Sequence, residues 1–399
     1  MAELSRRTFA TSLAAASALP LVPGTAAAGP ATSEWTRLAP VPPNSTAWHP
    51  AVPVGAPYWR QLGLAGPIAG VHAGHLIAAG GANFPEPAKT SNRANTLGKV
   101  YWNDVFVMDP GGSWLPTTFT LPNSIAYAAC LSTARGVLVL GGEGFPGGPN
   151  GSALAPVQKF ADVFYLRFDP RRRMIEQERL PALPRTMSYA VAGIVDDVVH
   201  VAEGADFYAL DLAHPGGGWQ SLPAWPGDPR SVAVGAAHSG RFYLLSGRSQ
   251  TAAGWQFHRD AYAYTPRQRS WRRIADLPWC VTAGLAYPTG DGLLVLGGDR
   301  DLARWNLIQE QTALRDREPK NSPGWHEHND VITWVYDHHT GFTTEMLRYD
   351  PARDSWRTAG HFPGPPPATT PAVLWNQRPV VVSGEIRPGV RTPEVLRLS

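Results

Sequence analysis

Short apolar runs separated by Gly and Pro fill most of the chain, and they recur in one order. A run of small residues comes first, and an apolar run ending in a glycine turn follows it. A segment carrying Asp with Tyr or Phe comes next, and a segment opened by Trp ends the unit. The runs are too short for helices and are punctuated like strands, so the pattern predicts β-structure throughout. The turns are Gly80-Gly81, Gly141-Gly142, Glu203-Gly204, Ser246-Gly247, Gly297-Gly298 and Ser383-Gly384. Trp strands are predicted to open near Trp114, Trp219, Trp271, Trp356 and Trp35. The second unit has Arg171-Arg172-Arg173-Met174 in that place.

The sixth unit is incomplete at the C-terminus. After Ser383-Gly384 and a loop, the chain ends on Val395-Leu396-Arg397-Leu398-Ser399, one strand short. The missing Trp strand stands at the other end, as Trp35-Thr36-Arg37-Leu38-Ala39-Pro40. Six repeats closed in this way predict an all-β, six-bladed β-propeller whose last blade is completed by the N-terminal strand. A longer insertion, at about 300–343, interrupts the fifth unit. Leu302 to Arg317 carries a loose helical stripe without Pro or Gly, and Asn329 to Tyr336 reads as a second short helix. Such an insertion suits a cap over one face.

Composition narrows the setting. There are 40 Gly and 39 Pro, as turns require, and the net charge is +3 without a long basic run, which argues against nucleic acid. Ser5-Arg6-Arg7-Thr8-Phe9, a weakly apolar stretch and Ala26-Ala27-Ala28 resemble a twin-arginine export signal over residues 1–28. A single domain over 29–399 and a periplasmic or extracellular address are expected. No later apolar run reaches a membrane span. Cys130 and Cys280 fall in different units and are expected to be buried free thiols.

The repeats resemble Kelch repeats. The loop Ser383-Gly384-Glu385-Ile386-Arg387-Pro388-Gly389-Val390-Arg391-Thr392 resembles the Asn-Gly-Glu-x-x-Pro-Gly-x-Arg-Thr segment of the sialic acid mutarotases, the N-acetylneuraminate epimerases. Leu64 to Val71, Leu76 to Phe84 with Asn83, and Gly227-Asp228-Pro229-Arg230 are similar to further segments of that family. The Glu loop comes last here, as in a cyclically permuted branch. Ser124-Ile125-Ala126-Tyr127 departs from the family's Gly-Arg-Ala-Tyr.

The resemblance implies an isomerase that interconverts sugar anomers, most simply those of sialic acid, without a cofactor. It implies that Glu385 accepts the proton and that Arg391 completes the site. A carboxylate can take the anomeric hydroxyl proton and return it to the ring oxygen. Arg391 then either pairs with a substrate carboxylate or stabilises charge on the departing oxygen. Residues just after the glycine turns, among them Glu143, Arg248 and Asp299, are expected to frame the sugar. Arg230 and Asn83 are further binding candidates, and Arg185 shares with Arg230 a place after Pro at a strand entrance.

The histidines of Trp325-His326-Glu327-His328 and Asp337-His338-His339 lack a one-turn ligand spacing, so no metal is expected. Two rival readings remain. One is a non-catalytic glycan- or partner-binding propeller. The other is a copper-radical oxidase, disfavoured because Cys130 and Cys280 both fall near lead strands.

Overall fold

The apolar runs pair into sheets because only pairing satisfies their backbone polar groups out of water. The computed structural model describes residues 34–44, 63–84, 98–152 and 154–399. The expected export signal lies outside the described residues. Among the described residues there are six four-stranded antiparallel sheets, together with smaller sheets and hairpins. The sheets lead with Ile68–His72, Ala129–Thr133, Val191–Val195, Val234–His238, Leu285–Thr289 and Val373–Trp375. The second strand Gly136–Leu140 is buried along its whole length, so it reads as a continuous apolar run. The outer strand Met174–Leu180 is largely polar and more exposed.

The sixth sheet joins both ends of the chain. Its strands run Val373–Trp375, Arg378–Val382, Val395–Leu398 and then Trp35–Leu38. Trp35 pairs with Leu398, and Leu38 with Val395. Val41 N–H donates to Pro393 O at 2.8 Å just beyond the strand.

Neighbouring sheets are stitched by the repeat tryptophans. The indole N–H of Trp114 donates to Ala39 O at 3.0 Å, that of Trp219 to Pro181 O at 2.9 Å, that of Trp271 to Pro223 O at 2.8 Å and that of Trp356 to Ala275 O at 2.8 Å. Each acceptor lies just after the outer strand of the preceding sheet. Each indole therefore covers an apolar seam and satisfies its own donor. Trp35 instead packs edge-on against Phe362, with centroids 4.8 Å apart. Trp114 does not open a strand as expected. It bridges Met108 alone, and the outer strand comes later, at Phe119–Thr120, because Pro116 interrupts the pairing.

The glycine turns are required by contact as well as by conformation. Gly80 has φ +59°, and a Cβ there would lie 2.2 Å from Ile125 O. At the equivalent position Ser383 keeps a positive φ of 57° but uses its hydroxyl. That Oγ accepts Leu64 N–H at 2.7 Å and donates to Thr392 O at 2.7 Å, again joining the two ends of the chain.

Two helices fill the insertion. Helix α1 (Leu302–Arg315) is capped by Asp301, which accepts Arg304 N–H. Helix α2 (Pro323–Asp337) is longer than the expected Asn329 to Tyr336. Ser322 caps it and Pro323 opens it, a start signal that the apolar stripe alone does not reveal. Ile308, Ile332, Val335 and Tyr336 form their shared core. Both cysteines are free. Cys130 is buried, and burial pushes its thiol up to about 12. Cys280 is only half-buried, contrary to expectation, because it lies ahead of its strand rather than in it.

Candidate active site

The sheets meet at their lead strands, and one residue ahead of each lead strand turns into left-handed conformation. These are Gly66, Tyr127, Tyr189, Val232, Ala283 and Thr369, with φ between 48° and 61°. Their backbones bond to one another. Tyr189 N–H donates to Tyr127 O at 2.9 Å, Tyr127 to Gly66 at 2.8 Å, Gly66 to Thr369 at 2.5 Å, Thr369 to Ala283 at 2.8 Å and Ala283 to Val232 at 2.8 Å. Positive φ is costly for Val and Thr, so tertiary bonding has overruled local preference there.

This belt separates two cavities. One, of about 320 Å³, runs along the lead strands and has no charged side chain in its wall. The other, of about 420 Å³, opens on the side of the glycine-turn loops and is lined by charged and aromatic groups. Glu385, Arg391, Glu143, Arg248 and Asp299 all reach the second cavity. They converge for a topological reason. In five units the residue after the glycine turn bridges the residue just ahead of the belt: Ala82 with Ala65, Glu143 with Ala126, Arg248 with Ser231, Asp299 with Thr282 and Glu385 with Ala368. The separation along the chain is the same in each.

Glu385 and Arg391 face each other across a small hairpin, Glu385–Arg387 with Val390–Arg391. Pro388 and Gly389 make its turn, Gly389 at φ +86°. Arg391 Nη2 lies 3.4 Å from Glu385 Oε1, and Gly389 N–H donates to the same oxygen at 2.6 Å. Glu385 Oε2 has no partner among the described residues. The Arg391 side chain is 5% exposed, yet its Nε and Nη1 have no acceptor. The Phe84 ring lies 4.7 Å from its guanidinium carbon. A buried donor without an acceptor is costly, so this arginine is built to meet a ligand oxygen.

The other walls differ in character. Glu143 Oε1 accepts the Tyr101 hydroxyl at 2.7 Å, and Lys99 Nζ is 3.9 Å away. Lys99 also donates to the Tyr127 hydroxyl at 3.3 Å. Tyr127 stacks on Tyr189 with centroids 4.2 Å apart, which gives an apolar platform. Burial pushes the Tyr101 and Tyr189 phenols well above their usual range, so both stay protonated as donors. Asp299 is committed on both oxygens: Oδ2 accepts the Trp305 indole at 2.5 Å and Oδ1 accepts Asp301 N–H at 2.9 Å. It therefore ties α1 to the cavity rather than offering an acid to a ligand. Trp305 and Phe342 of the insertion line the cavity, which gives the expected cap a position.

Two binding candidates stand elsewhere. Arg230 does not reach the cavity. Its side chain is fully buried and forks onto Asp260 at 2.7 and 2.8 Å, with a further bond to Ser246 O. Asn83 is buried beside the cavity wall, where it accepts the Trp102 indole at 2.9 Å and donates to Gly63 O at 3.2 Å. Arg185 pairs with Glu203 at 2.6 Å and with Asp206. All three side chains serve the fold, and for Arg230 the reason is that a fully buried charge needs a partner.

Burial alone would raise the Asp260 carboxyl, but hydrogen bonds from Arg230 and Tyr262 outweigh it and hold it at about 2. The pair's stabilisation is therefore complete above about pH 4 and is lost as pH falls through about 2. Arg230→Ala is expected to cost about 3–5 kcal/mol at pH 7, the usual penalty for stranding one member of a buried pair. Denaturant midpoints should show a gap from wild type that holds down to about pH 4 and narrows below it. A variant as stable as wild type at pH 7 would refute this role.

The sequence does not assign Lys99, Tyr127, Tyr189 or Trp305 to the site, although Tyr127 ends the segment that aligns with the family's Gly-Arg-Ala-Tyr. The constant separation between belt-adjacent residues and glycine turns was the available signal for Tyr127 and Tyr189. Nothing local marks Lys99 or Trp305.

The family model described as N-acetylneuraminate epimerase matches residues 4–161 and 180–399. The N-acetylneuraminate epimerase of Haemophilus influenzae (strain 86-028NP) is 30% identical over 223 residues, 54% of this chain and 57% of that protein. That of Yersinia enterocolitica serotype O:8 / biotype 1B is 28% identical over 229 residues, 55% of this chain and 57% of that protein. The matched segment thus spans little more than half the length of these relatives. A solved structure titled "Structure of YjhT" aligns with TM-score 0.47 and 24% identity, over 55% of this chain and 67% of that chain. Since the family model covers nearly the whole sequence, this chain belongs to the N-acetylneuraminate epimerase family.

Proposed function

We propose that this protein is an exported sugar mutarotase acting on N-acetylneuraminate, with Glu385 as the proton-transfer group. The supporting observation is the Glu385–Arg391 pair at the cavity: one carboxylate oxygen is held, the other is free, and two buried guanidinium donors lack acceptors. In this reading the free Oε2 takes the proton of the anomeric hydroxyl. The ring C–O bond breaks as the carbonyl forms, and the proton passes from Glu385 to the ring oxygen. Closure on the opposite carbonyl face reverses these steps and gives the other anomer. No atom is gained or lost, and no redox partner is needed. Arg391 Nε and Nη1 would donate to the oxygen that carries charge as the ring opens.

The six sheets are read as the blades of a Kelch-type propeller, the sixth closed by the N-terminal strand. The tryptophan stitches and the belt of backbone bonds support that reading. The Glu loop at the C-terminal end fits a cyclically permuted order. Linear matches to relatives that cover about half of each chain are in keeping with it. The Arg6-Arg7 segment supports export by the twin-arginine route to the periplasm or beyond.

The test is proton NMR of freshly dissolved N-acetylneuraminic acid, glucose and galactose with the protein. Anomer exchange of the acid well above the buffer rate is expected. Binding without exchange would make this a glycan-binding propeller instead. Arg391→Lys keeps the charge but presents no planar fork, and should lower kcat roughly tenfold or more. An unchanged kcat would remove Arg391 from the chemistry.

A further inference from the structure

We propose that Arg248, not Arg391, receives the substrate carboxylate, and that the helical insertion is part of the recognition site because it supplies one face of the clamp on this guanidinium. The inference rests on the mutarotase reading and names the group that makes the site prefer an acidic sugar.

Two guanidinium groups line the cavity, and they differ in what balances them. Arg391 has the Glu385 carboxylate at 3.4 Å, so its charge is met from within the protein. Arg248 has no ion pair or side-chain hydrogen bond among the described residues, and its Nε is buried without an acceptor. Asp299 is the first acid whose field acts on it, but both Asp299 oxygens are already committed to Trp305 and to Asp301 N–H. Burial lowers the Arg248 pKa, which marks an incompletely compensated charge.

The clamp fixes where that charge points. The guanidinium carbon lies 4.3 Å from the Trp255 ring centroid and 4.8 Å from that of Trp305. The two indoles are 6.5 Å apart and inclined at 68°. Indole faces hold a cation but accept no in-plane hydrogen bond. What remains to Arg248 is the N–H edge, and a planar carboxylate fits that fork with two parallel bonds. Trp255 comes from a hairpin of the fourth unit and Trp305 from α1. Asn306 of α1 accepts Trp255 N–H at 2.9 Å, so helix and hairpin set the clamp together. A neutral aldose offers this edge no anion.

The test compares N-acetylneuraminic acid with its 1-amide, in which a neutral carboxamide replaces the carboxylate. Anomer exchange is followed by NMR over a range of sugar concentrations. Wild type should prefer the acid in kcat/KM. Arg248→Met, which still fills the space between the indoles, should lower that preference roughly 10- to 100-fold, the loss expected for hydrogen bonds to a charged group, and mainly through KM. Arg248→Lys should fall between, and Trp305→Leu should lower the preference several-fold by freeing the guanidinium. Arg391→Lys should lower kcat for both sugars alike. An acid-to-amide preference unchanged by Arg248→Met and Arg248→Lys would overturn the assignment. Wild type exchanging acid and amide equally would overturn it too, while leaving the mutarotase reading standing. Exchange of neither sugar would sink the mutarotase reading itself, and this inference with it.

Discussion

Glu385→Gln should lower the rate of anomer exchange by roughly 10²–10⁴, the usual worth of a positioned general base. The amide keeps the length and shape of the carboxylate. Its oxygen can still accept Gly389 N–H, so the hairpin turn stays closed. What is lost is the free oxygen that takes the proton, together with the charge facing Arg391 at 3.4 Å. Sugar binding should change much less than kcat, because the replaced group fills the same space. The comparison is therefore kcat against KM by NMR, on a variant whose thermal midpoint stays near that of wild type. Folded Glu385→Gln exchanging at the wild-type rate would show that the proton is handled elsewhere. The Lys99–Tyr127 contact in the same cavity would then be the next place to look.

Removal of Glu34 to Pro43 is expected to abolish soluble, folded protein. The deletion strips Trp35–Leu38 from the sixth sheet and leaves Val395–Leu398 as an open edge. It also removes Val41 from the core shared with Trp375 and Val395, and the Trp35 contact with Phe362. The Trp114 indole would lose its acceptor, Ala39 O. One large buried side chain alone is worth about 3–5 kcal/mol, and a whole domain's margin is about 5–15 kcal/mol. An unpaired apolar strand edge is moreover a template for aggregation. The measurement is soluble yield and thermal midpoint of residues 44–399 beside 29–399. Midpoints within a degree or two would refute the view that the two ends of the chain build one sheet.

These two outcomes draw on different levels of information. The loop from Ser383 to Thr392 could be read for chemistry because its residues match the segment of the family it resembles, and that match implies roles for Glu385 and Arg391. The hairpin that sets the two side chains opposite each other is what the structure adds. The split sheet was legible for a similar reason: a missing Trp strand at one end has its counterpart at the other. Convergence of Glu143, Arg248 and Asp299 followed from their shared place after the glycine turns. Arg230 misled because Pro229-Arg230 marks a strand entrance, while its partner Asp260 lies far along the chain. Asp299 reaches the cavity but is occupied there by α1, and only packing reveals this.

The sequence by itself determined the strands, their sixfold order and the insertion. Periodicity, turn residues and short-range pairing act over a few neighbours and leave their mark in the order of residues. Tertiary structure alone decided which charges face the cavity unpaired and which are spent on the fold. It also decided the left-handed belt through Tyr127, Val232 and Thr369 and the indole clamp on Arg248. Those features depend on groups brought together from different units. The physical reason is that a buried charge or a strained backbone persists only where distant partners hold it, and no local pattern records which partners will arrive.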